Sequence, residues 1–257
     1  LPLDREVQLT LELREAGRSL ISRPVATARL AGLNPATLAG AAPAPVHFVL
    51  RAAAGTLACR GTGARARATG ACSFAPDVAF ADALAQRGIG RPTGDQAYHL
   101  AVEDVSLVLV DELARQRYAK PTVEQLVACG VHGVTVDQVR MLAQAGHRLG
   151  TVGQLITFRI HGVTPEWIAK LTAVDRALMG LPADRLVAMR IHGVTPEWIR
   201  ALAALGYPAL TAEQLIAMRI HGVTPDFVRR AQAGGTRPAP ETLVAMRILG
   251  PAAGRGL

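Results

Sequence analysis

Arg159-Ile160-His161-Gly162-Val163-Thr164-Pro165 recurs as Arg190 to Pro196 and again as Arg219 to Pro225. A weaker copy, Val131-His132-Gly133-Val134-Thr135, precedes them. His132, His161, His192 and His221 stand 29, 31 and 29 residues apart. A period of that size belongs to stacked supersecondary units rather than to one globular core. Within the motif, the glycine suits a helix end at positive φ, which only Gly adopts cheaply. The threonine is a good N-cap for the next helix and the proline a good first residue. In the last copy Asp226 then favours the helix dipole.

The copy at Leu210 shows the rest of the unit. Thr211 caps a short helix carrying Glu213 and Gln214 in its first turn and Leu215, Ile216, Met218 and Ile220 along it. After the glycine turn, Phe227, Val228 and Ala231 give the second helix an apolar side, and Gly234 and Gly235 stop it. The unit is helix, glycine turn, helix and a short return loop. Helices of about three turns are marginal alone, so each unit must lean on its neighbours. Trp167, Trp198 and Phe227 share one position of the unit. Phe158, Met189, Met218 and Met246 share another, which Cys129 fills in the earlier copy.

The array starts before its obvious motif. Gly88 precedes Thr93 by five residues, as Gly206 precedes Thr211, and Thr93, Thr122 and Thr151 follow at intervals of 29. Residues 76–92 read as the second helix of a partial unit. Residues 93–121 read as a diverged copy with Glu103-Asp104-Val105-Ser106 in place of His-Gly-Val-Thr. Glu241 to Gly250 is a closing half-unit before Pro251. The expected α-solenoid of about 29-residue helix-turn-helix repeats covers 76–251, with a C-terminal tail at 252–257.

Residues 1–75 differ. Val7 to Leu13 alternates apolar and polar, a strand signature. Further strands are expected at Val46–Arg51, Thr56–Arg60 and Ala71–Phe74, giving a small antiparallel β-meander and an α+β chain. A hairpin centred near Arg65 and Ala66 sets Cys59 opposite Cys72 and Leu57 opposite Phe74. The two cysteines are then either a cross-strand disulfide or a pair of buried thiols. Cys129 reads as a small core residue, and three cysteines make neither a disulfide framework nor a metal site.

The chain of 257 residues carries a net charge of +8, of which +5 falls in residues 1–75 around Arg51, Arg60, Arg65 and Arg67. Such an excess attracts polyanions without sequence preference. Aromatic residues that would stack bases are few. No apolar run reaches the roughly 20 residues of a membrane span. The chain begins at Leu1 without a Met or a signal segment, which reads as a processed or excised fragment and leaves room for a membrane tether in the full-length protein.

The histidines invite a metal-site reading. Stacked copies lie about a helix diameter, roughly 10 Å, apart, too far for one ion with ligands near 2 Å. A histidine near a helix C-terminus instead donates to free carbonyls. Arg159, Arg190, Arg219 and Arg247 occupy one repeat position and form a stripe. Pairing inside the array with Glu166, Glu197, Asp226 and their neighbours is the preferred role for it. Gripping an acidic partner is the other. Together with His132, His161, His192 and His221 these arginines are the candidate binding residues. No catalytic set, phosphate loop or zinc motif is present in the sequence, so neither an enzyme nor a cofactor is expected.

Val46 to Phe74, Ala101-Val102-Glu103-Asp104-Val105-Ser106, Tyr118 to Leu126 and the His-Gly-Val-Thr-Pro repeats together resemble a known region. It is the non-catalytic extracytoplasmic region of bacterial membrane metallopeptidases of the β-lactam-sensor type. That resemblance covers most of the chain and implies a signalling accessory in the periplasm or at the cell surface that senses or binds a protein or peptide. Leu210 to Met218 followed by His221-Gly222 is similar to the first helix and base-reading loop of TAL-effector repeats. That likeness implies a modular nucleic-acid-binding array in the cytoplasm, although here the loop pair stays His-Gly instead of varying. A structural spacer is the remaining reading.

Overall fold

The structure, a computed structural model, describes residues 5–13 and 19–250. The expected tail at 252–257 and the array end at Pro251 lie outside the described residues. The chain divides into two compact units. One takes in the described chain up to Val110 together with Pro121–Val131, and the other Asp111–Lys120 together with the chain from His132 onward.

The first unit is α+β. Strands β1 (Glu6–Leu13) and β2 (Ser19–Ala26) form one antiparallel pair. Strands β3 (Leu30–Ala31), β4 (Ala44–Ala52), β5 (Gly55–Ala64) and β6 (Arg67–Pro76) follow in sequence order as a four-stranded antiparallel meander. The short helix α1 (Pro35–Ala39), capped by Asn34, packs on β4 and β5. The hairpin turns at Arg65 and Ala66, with φ of 51° and 62°. Paired positive φ values are those of a two-residue turn whose twist matches its strands. That turn fixes the register: Leu57 faces Phe74, and Cys59 faces and is disulfide-bonded to Cys72.

Three helices complete this unit. Helix α2 (Val78–Gln86) is capped by Asp77, and α3 (Gly94–Val102) by a reciprocal Thr93–Gln96 box. Helix α3 packs on β4, β5 and β6, and α5 (Val123–Val131) packs on α3. Phe80, Leu84, Leu100, Leu50 and Leu57 are the buried centre. In the turn after α3, Asp104 takes the positive φ of 59° that glycine holds in the later copies. Its side chain meets Arg29 through two hydrogen bonds of 2.8 and 2.7 Å, while Glu103 pairs with Arg23 at 3.3 Å. Helix α4 spans Leu107–Arg115.

The second unit is helical. It contains α6 (Val136–Gln144), α7 (Val152–His161), α8 (Pro165–Val174), α9 (Ala183–Ile191), α10 (Pro196–Ala204), α11 (Ala212–Ile220), α12 (Pro225–Ala231) and α13 (Pro240–Leu249). A 3-10 turn at Arg176–Leu178 lies against α8. Thr135, Thr164, Thr195 and Thr224 each accept the N–H three residues on, as expected of motif threonines. Helices two places apart in sequence touch: α6 with α8, α8 with α10 and α10 with α12, and likewise α7 with α9, α9 with α11 and α11 with α13. Phe158, Met189 and Met218 are wholly buried between them.

Candidate functional site

The motif arginines do not find the acidic partners expected of them. Among the described residues no ion pair joins Arg159, Arg190, Arg219 or Arg247 to Glu166, Glu197 or Asp226, and Asp226 pairs with Arg229 instead. Each of the last three guanidinium groups lies over the aromatic ring of the preceding copy. Arg190 stands 5.4 Å from the centroid of Trp167, Arg219 5.1 Å from Trp198, and Arg247 5.6 Å from Phe227. These are cation–π distances. The rings sit at the third residue of α8, α10 and α12, the position the capping threonine fixes.

The motif glycine has two duties here. Gly193 holds φ at 69°, and a Cβ on it would fall 2.9 Å from Nη2 of Arg219. Gly162 and Gly222 also hold positive φ beside Arg190 and Arg247, but there an added Cβ would stand 3.5–3.6 Å from the guanidinium, an ordinary contact. Arg159 has no ring, because Gln138 occupies the aromatic position; its Nε donates to the carbonyl of His132 at 3.1 Å. Helix α5 carries Gly130 where the arginine would stand. A Cβ there would meet the Cβ of Glu103 at 2.5 Å, so no side chain fits.

The imidazoles of His132, His161 and His192 are exposed and that of His221 half-exposed. No hydrogen bond of these four side chains occurs among the described residues, so the expected donation to helix-end carbonyls is not made. The motif turns instead present a cationic edge made by the arginines, with imidazoles beside it.

The feature missed from sequence lies one residue after each arginine. Ile160, Ile191, Ile220 and Ile248 are 53–56 % exposed. One turn earlier on the same helices stand the small, half-buried Thr157, Ala188, Ala217 and Ala245. Residues three and four apart share a helix face, so α7, α9, α11 and α13 each present a small residue and an isoleucine side by side. The opposite ends of α11 and α13 carry acids held by the preceding helix: Arg185 pairs with Glu213 at 3.1 Å, and Gln214 donates to Glu241 at 2.8 Å. Between α7 and α9 the face opens into a groove of about 400 Å³ lined by Gln154, Thr157, Val187, Ala188 and Ile191. This groove falls at the one 31-residue step between histidines, whose extra length includes the 3-10 turn. The alternation of arginine and isoleucine was visible in the sequence. Its exposure was not, because an apolar residue in a short helix reads as core.

A buried carboxylate in this unit is structural. Glu112 accepts from Gln116 at 2.8 Å, from Arg140 at 3.0 Å and from Arg115. The hydrogen bond from Gln116, with those from the arginines, holds its pKa below the usual carboxylate range. The two arginines that hold it are themselves exposed.

Comparison of the chain with protein-family models, curated proteins and solved structures returns no match.

Proposed function

We propose that the chain carries a helical-repeat solenoid, of about 29 residues per helix-turn-helix unit, that recognises a protein or peptide segment on the face of its first helices. The observation that supports this reading is the row Ile160, Ile191, Ile220 and Ile248, each half-exposed at the same place in its copy. Covering the exposed half of one isoleucine contributes about 1–2 kcal/mol. Scattered apolar residues on a surface mean little, whereas an aligned set with a groove beside it marks a binding face. Neighbouring helices pack 8–10 Å apart, a step that about three residues of extended chain span. The fitting segment is apolar at that interval and acidic on the side toward Arg159, Arg190, Arg219 and Arg247.

The Cys59–Cys72 disulfide supports an oxidising compartment such as a periplasm or cell surface. No helix among the described residues is long and apolar enough to cross a membrane. The unvarying His-Gly pair gives a base-reading array no means of distinguishing one base from another.

Fluorescence anisotropy with an acidic, apolar peptide, duplex DNA and single-stranded DNA at low and physiological salt tests the reading. The expected result is peptide binding that survives physiological salt and weakens in Ile191→Ser and Ile220→Ser without loss of folding. Tight, sequence-dependent duplex binding at physiological salt would establish the TAL-like alternative instead. Absence of binding to every probe would leave the spacer.

A further inference from the structure

The ladder of arginines over rings has a vacant rung. Trp167, Trp198 and Phe227 each occupy the third helix position and receive the arginine of the following copy. Gln138 occupies that position in α6, and the matching arginine is Arg159. Where the ring would lie there is a partly open cavity of about 190 Å³. Phe158, Met141 and Pro165 give it apolar walls, and Arg159 and Gln138 stand at its polar side. A cavity near 150 Å³ holds a benzene ring.

We propose that this cavity receives a tryptophan side chain of the recognised segment. The proposal rests on the peptide-recognition reading and names one anchor for it. Three features of the pocket select an indole. Among the described residues the guanidinium of Arg159 is hydrogen-bonded through Nε alone, to the His132 carbonyl, and no ring lies on its flat face. The Oε1 atom of Gln138 is buried with no hydrogen-bond partner among the described residues. Turned toward the cavity, such an acceptor matches an indole N–H, which phenylalanine lacks. Met141 adds a polarizable sulfur-bearing wall, a favoured neighbour of aromatic edges. In the three later copies the chain supplies this ring itself; here an incoming segment completes the rung.

The test uses the full chain with ¹⁵N-labelled side chains, titrated with indole and with N-methylindole. Saturable shifts are expected at the Arg159 Nε–H and the Gln138 amide, and not at Arg190 or Arg219. N-methylindole should bind about fivefold more weakly, the equivalent of one lost hydrogen bond of ~1 kcal/mol. Gln138→Trp places a ring in the cavity and should abolish the shifts while raising the unfolding midpoint. Gln138→Leu keeps the cavity but removes the acceptor, so it should bind the two probes equally. Failure of indole to shift Arg159, or undiminished binding to Q138W, would overturn the proposal. Indole occupancy is read without any peptide, so loss of this pocket and loss of the recognition reading register as separate results.

Discussion

Trp198 and Arg219 offer a measurement of what joins one copy to the next. The perturbation is a double-mutant cycle of Trp198→Leu, Arg219→Met and both together. Trp198 is buried, and truncating such a ring to alanine costs about 3–5 kcal/mol. Leucine keeps roughly half of that apolar contact. It also removes an indole N–H that has no acceptor among the described residues, which returns about 1 kcal/mol. The single change should therefore cost about 0.5–1.5 kcal/mol. Arg219→Met keeps an unbranched stem and loses the guanidinium 5.1 Å from the ring. That group is half-exposed, so about 0.5–1 kcal/mol is expected. The coupling between the two changes should be about 0.5–1 kcal/mol. Urea unfolding followed by far-ultraviolet circular dichroism supplies all four stabilities, because Trp198 is one of only two tryptophans and fluorescence would lose a reporter. A coupling of about 0.3 kcal/mol or less, the scatter of additive changes, would refute the view that the guanidinium and the ring hold each other.

The glycine seats make a second test: Gly193→Ala should cost about 1 kcal/mol more than an alanine at an ordinary φ. Gly146→Ala, at φ 80° with nothing within 4 Å of the added carbon, isolates the backbone part, so any excess at Gly193 measures the displaced Arg219. Glu112 should make stability fall in acid. Its folded pKa is lowered, so its contribution is complete above the unfolded-state carboxylate range and is lost as the pH falls through that range toward the folded value. Glu112→Gln should flatten this limb and cost about 1–2 kcal/mol near pH 7, read by urea titrations at several pH values. Cys129 is fully buried and its thiol is pushed up to about 12 by burial, so thiol reagents at pH 8 should label it only on unfolding.

The legible parts of this chain are those where local chemistry decides. The Arg65–Ala66 turn sets strand pairing residue by residue, so the facing of Cys59 and Cys72 follows from counting. Motif threonine, proline and glycine fix helix ends, and those ends lie where expected. Strand β2 was not legible: Arg23 and Pro24 interrupt its alternation, and its pairing with β1 supplies the order that the sequence lacks. The partners of the motif arginines were misjudged for a similar reason. Opposite charge is visible in a sequence, whereas a ring some 20 residues back becomes a neighbour only once the helices pack. The isoleucine row was hidden because its residues carry no mark distinguishing a covered apolar face from an open one.

Every rung points backward along the chain. Arg190 rests on Trp167, Arg219 on Trp198 and Arg247 on Phe227, at separations of 23, 21 and 20 residues. During synthesis, then, the ring always leaves the ribosome first and its clamp arrives one copy later. Contacts of such short span close quickly, with little loop entropy to overcome. Assembly of this region can proceed as a zipper that follows the nascent chain, each new copy latching the one just made without waiting for the C-terminus.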